Sequence, residues 1–140
     1  MSVTMYDVVT EQEKKQRSNI RRRCRDRVKR GAALLDRERP GWEKKMDISK
    51  FDIWHSDRCI LGQVFMNGSS MPGYRKGLEE LSLLDGPENE DREERAARYG
   101  FTISPDEDGE TVEAGLWTNA LWEWLAMYWI REIEIRRHGR

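Results

Sequence analysis

The sequence predicts an all-α or predominantly α fold, a small multi-helix domain with long N- and C-terminal helices. Three observations carry that prediction. Residues 10–38 return apolar side chains at intervals of three and four, the period of one helical face. Residues 116–137 do the same on two stripes at once. Between them lie short apolar clusters punctuated by Gly and Pro, and only a minor β piece near 101–113 reads as extended. A chain of 140 residues suits a single domain, read here as residues 10–137 behind a flexible stretch 1–9.

The elements follow in order. Thr10 and Glu13 have the spacing of a capping box, which starts the first helix, and the Arg39-Pro40 step ends it. Within it Ile20, Cys24, Val28, Gly31 and Leu35 form one narrow apolar stripe, with Arg22, Arg23, Lys29 and Arg30 opposite. Pro40-Gly41 turns the chain into a segment whose Ile48, Phe51 and Trp54 suit a short helix, although Ile53 also allows an extended reading. Ser56 is the expected N-cap of a buried helix carrying Ile60, Leu61, Val64 and Phe65. Tyr74, Leu78 and Leu81 place one face of the next helix inward. In "ENEDREERAARYG" the acids lead and Arg95 and Arg98 trail, which complements a helix dipole, with Gly100 as the C-terminal cap. The last helix puts Trp117, Leu121, Trp124, Leu125 and Tyr128 on one face and Trp122, Ala126, Trp129 and Ile133 on a second.

Charge is segregated along the chain. Residues 1–45 carry 14 Lys and Arg against 7 Asp and Glu, whereas residues 46–116 carry 7 against 16, inside a net charge of only −1. That pattern offers a basic surface to an acidic partner, or two halves that neutralise each other. Cys24 and Cys59 lack paired spacing and read as reduced thiols of a cytoplasmic protein. The longest apolar run, "ALWEWLAMYWI", is broken by Glu123 and is too short for a membrane span.

The residues "RGAALLDRERPGWEKKMDISKFDI", "CILGQVF", "YRKGLEEL" and "ARYGF" resemble a family of small uncharacterised proteins of actinobacteria and their bacteriophages. The resemblance covers roughly residues 28–137 and implies a mostly helical domain in a bacterial cytoplasm. It brings no catalytic residue with it. Leu34, Leu35, Asp36, Pro40, Gly41, Trp42, Cys59, Leu61, Gly62 and Gln63 carry the pattern and read as packing and turn positions. Small phage proteins of this build commonly modulate host machinery, defence complexes included, so the resemblance implies an accessory role. The basic stretch before Arg27 and the loop from Ser104 to Ala114 stand outside the pattern.

Catalytic chemistry finds little support. His55 and Cys59 have the spacing of a metal pair, but no second pair completes a zinc site. "GSSMPGY" spaces Gly68 and Gly73 as a phosphate loop does, with Tyr74 where the lysine belongs. Asp106, Asp108, Glu110 and Glu113 are enough carboxylates for a hard cation, but they lack the ligand order of a calcium loop. With two histidines, one at the C-terminal position 138, no Ser-His-acid set is assembled. The expectation is a protein that is not an enzyme and needs no cofactor, metal, membrane or small-molecule substrate.

Two binding surfaces are therefore expected. One is a protein-partner or homodimer contact through Trp122, Ala126, Trp129 and Ile133, with both tryptophans at least partly exposed, because tryptophan favours interface hot spots. The leading functional expectation is built on such contacts: a modulator or inhibitor of a host protein or complex. The alternative is nucleic-acid binding through Arg17, Arg21, Arg22, Arg23, Arg25, Lys29 and Arg30, drawn from ten Lys and Arg within residues 14–30.

Overall fold

In the computed structural model, which describes residues 4–66, 71–84, 92–103 and 118–139, those residues fold into five α-helices and two short 3-10 turns. The order is α1 (Thr4–Glu38), the turns Trp42–Lys45 and Ile48–Lys50, α2 (Ile60–Phe65), α3 (Gly73–Glu80), α4 (Arg92–Arg98) and α5 (Thr118–His138). No strand occurs among the described residues, so the domain is all-α. Phe101–Ile103 form a bend where the β piece was expected, and residues 104–113 of that piece lie outside the described residues.

α1 begins at Thr4, ahead of the Thr10–Glu13 box. No Gly or Pro interrupts residues 4–9, and once a helix is nucleated each added residue gains a hydrogen bond at little cost. Its apolar stripe is buried as the period demands: Ile20, Cys24, Val28 and Leu35 are at most 2% exposed. α5 packs along this stripe in the same direction as α1. Arg21 lies over the Trp124 ring near one end of the pair, and Asp36 is ion-paired with Arg136 near the other.

α4 closes over the same stripe. It ends in a Schellman motif, with the Gly100 N–H donating to Ala97 O, the Phe101 N–H to Ala96 O, and Gly100 at φ 75°. Gly31 makes this packing possible. A methyl group there would overlap the Tyr99 carbonyl and the Trp129 ring.

The second stripe of α5 departs from expectation. Trp129 and Ile133 are completely buried. The Pro40-Gly41 turn swings Trp42 back onto α5, where it meets the Trp129 ring edge-on at 5.8 Å. Phe101 stacks on that ring at 5.4 Å, and the indole N–H donates to Gly100 O at 2.7 Å. Short elements thus cover what a single partner helix could not. Trp129 and Ile133 belong to the core and offer no contact surface.

The middle of the chain is held by caps rather than long helices. Cys59, not Ser56, is the N-cap of α2, its sulfur accepting the Gly62 N–H at 3.3 Å. Asp57 receives the Gly73 N–H and Ser56 O receives the Tyr74 N–H, which docks α3 on the turn before α2. Gln63 binds both backbone groups of Asp47 and the Arg58 carbonyl. Arg137, from the end of α5, donates to Glu43 O and Met46 O and so closes the turn that carries Trp42.

Candidate functional site

The basic side of α1 is built by helical spacing. Lys14, Arg17, Ser18, Arg21, Arg22 and Arg25 recur at intervals of one, three and four, and with Tyr128 of α5 they line an open groove of about 410 Å³. All six α1 side chains are exposed, whereas Tyr128 is buried and contributes only an edge. Arg21 stacks over Trp124 at 5.8 Å, which holds its guanidinium at the groove wall. Arg25 is shared with Asp26, its Nε and Nη2 both 3.2 Å from Oδ1. On the α5 side Arg131 lies over the Tyr128 ring at 5.4 Å. Five cations thus share one concave surface, the arrangement that focuses positive potential.

The expected basic set is divided by the helix. Arg17, Arg21, Arg22 and Arg25 come together in the groove, and Lys29 is exposed one turn further along. Arg23 and Arg30 are exposed on the far flank, roughly 160° around the helix from the groove centre at 100° per residue. Arg27 is 5% exposed and belongs to the core side. Lys14, Ser18 and Tyr128 were missing from the expected set. The i, i+3, i+4 spacing of Lys14 with Arg17 and Ser18 signals the first two, whereas Tyr128 reads as core on sequence alone.

The expected partner stripe survives only in part. Trp122 and Ala126 are half-buried, and Trp122 packs on the exposed Trp54 with ring centroids 4.4 Å apart. Trp54, whose spacing with Ile48 and Phe51 suits a short helix, is 63% exposed and presents a large apolar surface.

No protein family, curated protein or solved structure matches the chain.

Cys59, Tyr74 and His55 each take part in a hydrogen bond of the fold. Burial pushes the Cys59 thiol up to about 11, which leaves it protonated at neutral pH and unreactive as a nucleophile. Burial, then the neighbouring Glu93 carboxylate, raises the Tyr74 hydroxyl above its ordinary range. The His55 Nδ1 accepts the Asp57 N–H at 3.1 Å and serves the turn. Among the described residues no group of three or more His, Cys, Asp or Glu is placed to hold a metal ion, and no helix is long and apolar enough to cross a membrane. The acidic positions 106, 108, 110 and 113 lie outside the described residues, as does Gly68. Gly73, the other glycine of the phosphate-loop spacing, opens α3 and sits against the Gly62 backbone, where a side chain would overlap.

Proposed function

We propose that this protein is a non-enzymatic binder of nucleic acid that lays the groove side of α1 along a phosphate backbone. The observation that carries the reading is the convergence of Lys14, Arg17, Arg21, Arg22 and Arg25 on one groove beside Ser18. Arginine suits this task because its planar fork donates two hydrogen bonds to one phosphate. The contacts position the helix without reading sequence, so affinity should be broad across sequences.

Binding to duplex and single-stranded DNA across a salt series tests the proposal. Five phosphate contacts give a slope of log Kobs against log salt of about −4 to −5 on duplex and about −3.5 on single strands. Replacing Arg17, Arg21 and Arg25 together by Gln should flatten the duplex slope by about 2 to 3. The Arg23→Gln, Arg30→Gln pair on the far flank should leave it within about one unit of its starting value. A salt-independent interaction, or equal losses from the two sets, would refute phosphate binding in this groove.

A protein partner is the second reading, favoured by the exposure of Trp54 on top of Trp122. It keeps the expected modulator role but moves the contact from the Trp129 side to the Trp54 side. Pull-down of a partner that Trp54→Ala abolishes, with no effect of the groove substitutions, would favour it over the first.

A further inference from the structure

Two arginines beside the basic groove rest on aromatic rings of α5. Arg21 lies over Trp124 at 5.8 Å, and Arg131 lies over Tyr128, the ring whose edge closes the groove, at 5.4 Å. Both arginines are exposed. Beyond these ring contacts neither makes a hydrogen bond or an ion pair among the described residues, whereas Arg25 is shared with Asp26. A guanidinium resting on a ring is partly ordered in advance, and its exposure leaves planar, charged surface in water. The two supporting rings are four residues apart on one helix, so they follow each other at roughly 6 Å along its axis.

We infer that the nucleic acid held in this groove is a single strand, with unpaired bases stacked on the Arg21 and Arg131 guanidinium groups. The inference rests on the phosphate reading and narrows it to one class of ligand. A guanidinium plane receives the face of an unstacked base much as an aromatic ring does. In a duplex those faces are turned onto neighbouring bases about 3.4 Å away, so a duplex has none to offer. The ring spacing of roughly 6 Å exceeds that stacking distance and suits a strand whose bases are splayed apart. The strand's phosphates then meet Lys14, Arg22 and Arg25 along the same groove. A track of cations beside planar platforms is how single strands are held without sequence preference, because every base has a π-face. A duplex would use the cations and leave the planes idle. The strand can be DNA or RNA, and the two share this chemistry.

The test measures affinities of the full chain by fluorescence anisotropy across a salt series. The probes are about 12 nucleotides long, within the usual footprint of such grooves. They are a mixed-sequence DNA strand, the same strand as duplex, an RNA strand of that sequence, and a DNA strand made of abasic sites. The base-bearing single strand should bind about tenfold or more tighter than the abasic strand, since one stacked base contributes on that order. It should also outbind the duplex at matched salt. Tighter binding of RNA than of DNA makes RNA the ligand, and the reverse order makes it DNA. Arg21→Lys and Arg131→Lys keep the charge and remove the plane. Each should weaken the base-bearing strand about fivefold more than the abasic one. Equal affinity for abasic and base-bearing strands, or a duplex bound more tightly than either single strand, would overturn the inference. Salt-dependent duplex binding in that case leaves the phosphate reading standing, whereas salt-independent binding of every probe removes both.

Discussion

Asp36 and Arg136, 100 residues apart, form a two-point ion pair, with Nε 2.9 Å from Oδ1 and Nη2 2.7 Å from Oδ2. Asp36 Oδ1 also accepts the Trp42 indole N–H at 2.9 Å, and the Arg136 guanidinium lies over the Trp42 ring at 5.6 Å. One carboxylate therefore fixes α1, α5 and the turn that covers Trp129. Arg136 is held charged above its ordinary range, first by its hydrogen bond to Asp36.

Removing that carboxylate should cost more than a surface ion pair does. Asp36→Asn keeps an acceptor for Trp42 but leaves the Arg136 side chain, 10% exposed, with Glu132 as the one remaining ion-pair partner among the described residues. The expected loss is about 2–3 kcal/mol, between the values for exposed and for deeply buried pairs. Urea unfolding followed by tryptophan fluorescence measures it. A loss below about 0.5 kcal/mol would place this contact with ordinary surface pairs.

The two tryptophans of the second α5 stripe should separate in the same assay. Trp129→Ala empties a site closed by Trp42 and Phe101 and orphans the Gly100 carbonyl, at a cost of about 3–5 kcal/mol. Trp122→Ala removes a half-buried ring packed on an exposed one, and about 1 kcal/mol is expected. Similar losses for both would mean that Trp122 is as much a part of the core as Trp129.

Ser82 carries the one positive φ among described non-glycine residues, 59°. It stands where α3 ends, with the Leu83 N–H returning to Leu78 O at 2.8 Å and the Ser82 N–H to Glu79 O. The left-handed conformation costs an L-residue about 1–2 kcal/mol, while glycine returns about 0.4–1 kcal/mol of that through its freer unfolded chain. Ser82→Gly should therefore raise stability by about 0.5–1 kcal/mol, read as a melting temperature a few degrees higher. A lower melting temperature would show that the serine side chain compensates its backbone.

The Cys59 thiol makes alkaline stability asymmetric. Folded, it ionises near 11, against 9.0 for an ordinary thiol, and burial is the main cause. Below pH 9 both states are protonated and nothing is lost. Between pH 9 and 11 the unfolded chain sheds the proton first, so stability falls by an amount on the order of 2 kcal/mol. Cys59→Ser supplies an oxygen cap to Gly62 and has no such ionisation. The stability difference between the two proteins should shift toward the serine form across that window, and Tyr74 adds to the shift because the Cys59 charge is one cause of its own raised ionisation. A difference constant with pH would indicate a thiol open to water.

What the sequence revealed was local. Ile20, Cys24, Val28, Gly31 and Leu35 are periodic within one element, so their burial follows from spacing alone. The two faces of α5 were legible too. The identity of what covers them was not, because Trp42 and Phe101 lie far off in the chain on segments without a period. The groove on α1 was half legible, since four of its cations were named from the helix while Tyr128 comes from another one. Trp54, on the turn before α2, meets Trp122 of α5, and no spacing rule links those two elements. Asp57 and Gln63 show the same limit, since the Gly73 N–H that Asp57 accepts and the Asp47 backbone that Gln63 binds are set by tertiary docking, whereas Asp47 caps the nearby Ser49 N–H.

The parallel seam between α1 and α5 bears on how the chain acquires its shape. Its opening helix keeps the stripe of Ile20, Cys24 and Val28 incompletely covered until the closing helix has been synthesised, because α5 packs along it while α4 closes over only a part. The α2–α3 pair can form early in a growing chain, whereas the seam between α1 and α5 must wait, so the slow step expected of folding is the docking of one long rod against another across most of the sequence. A protein assembled in that order is most open to proteases and chaperones in the interval before α5 has emerged.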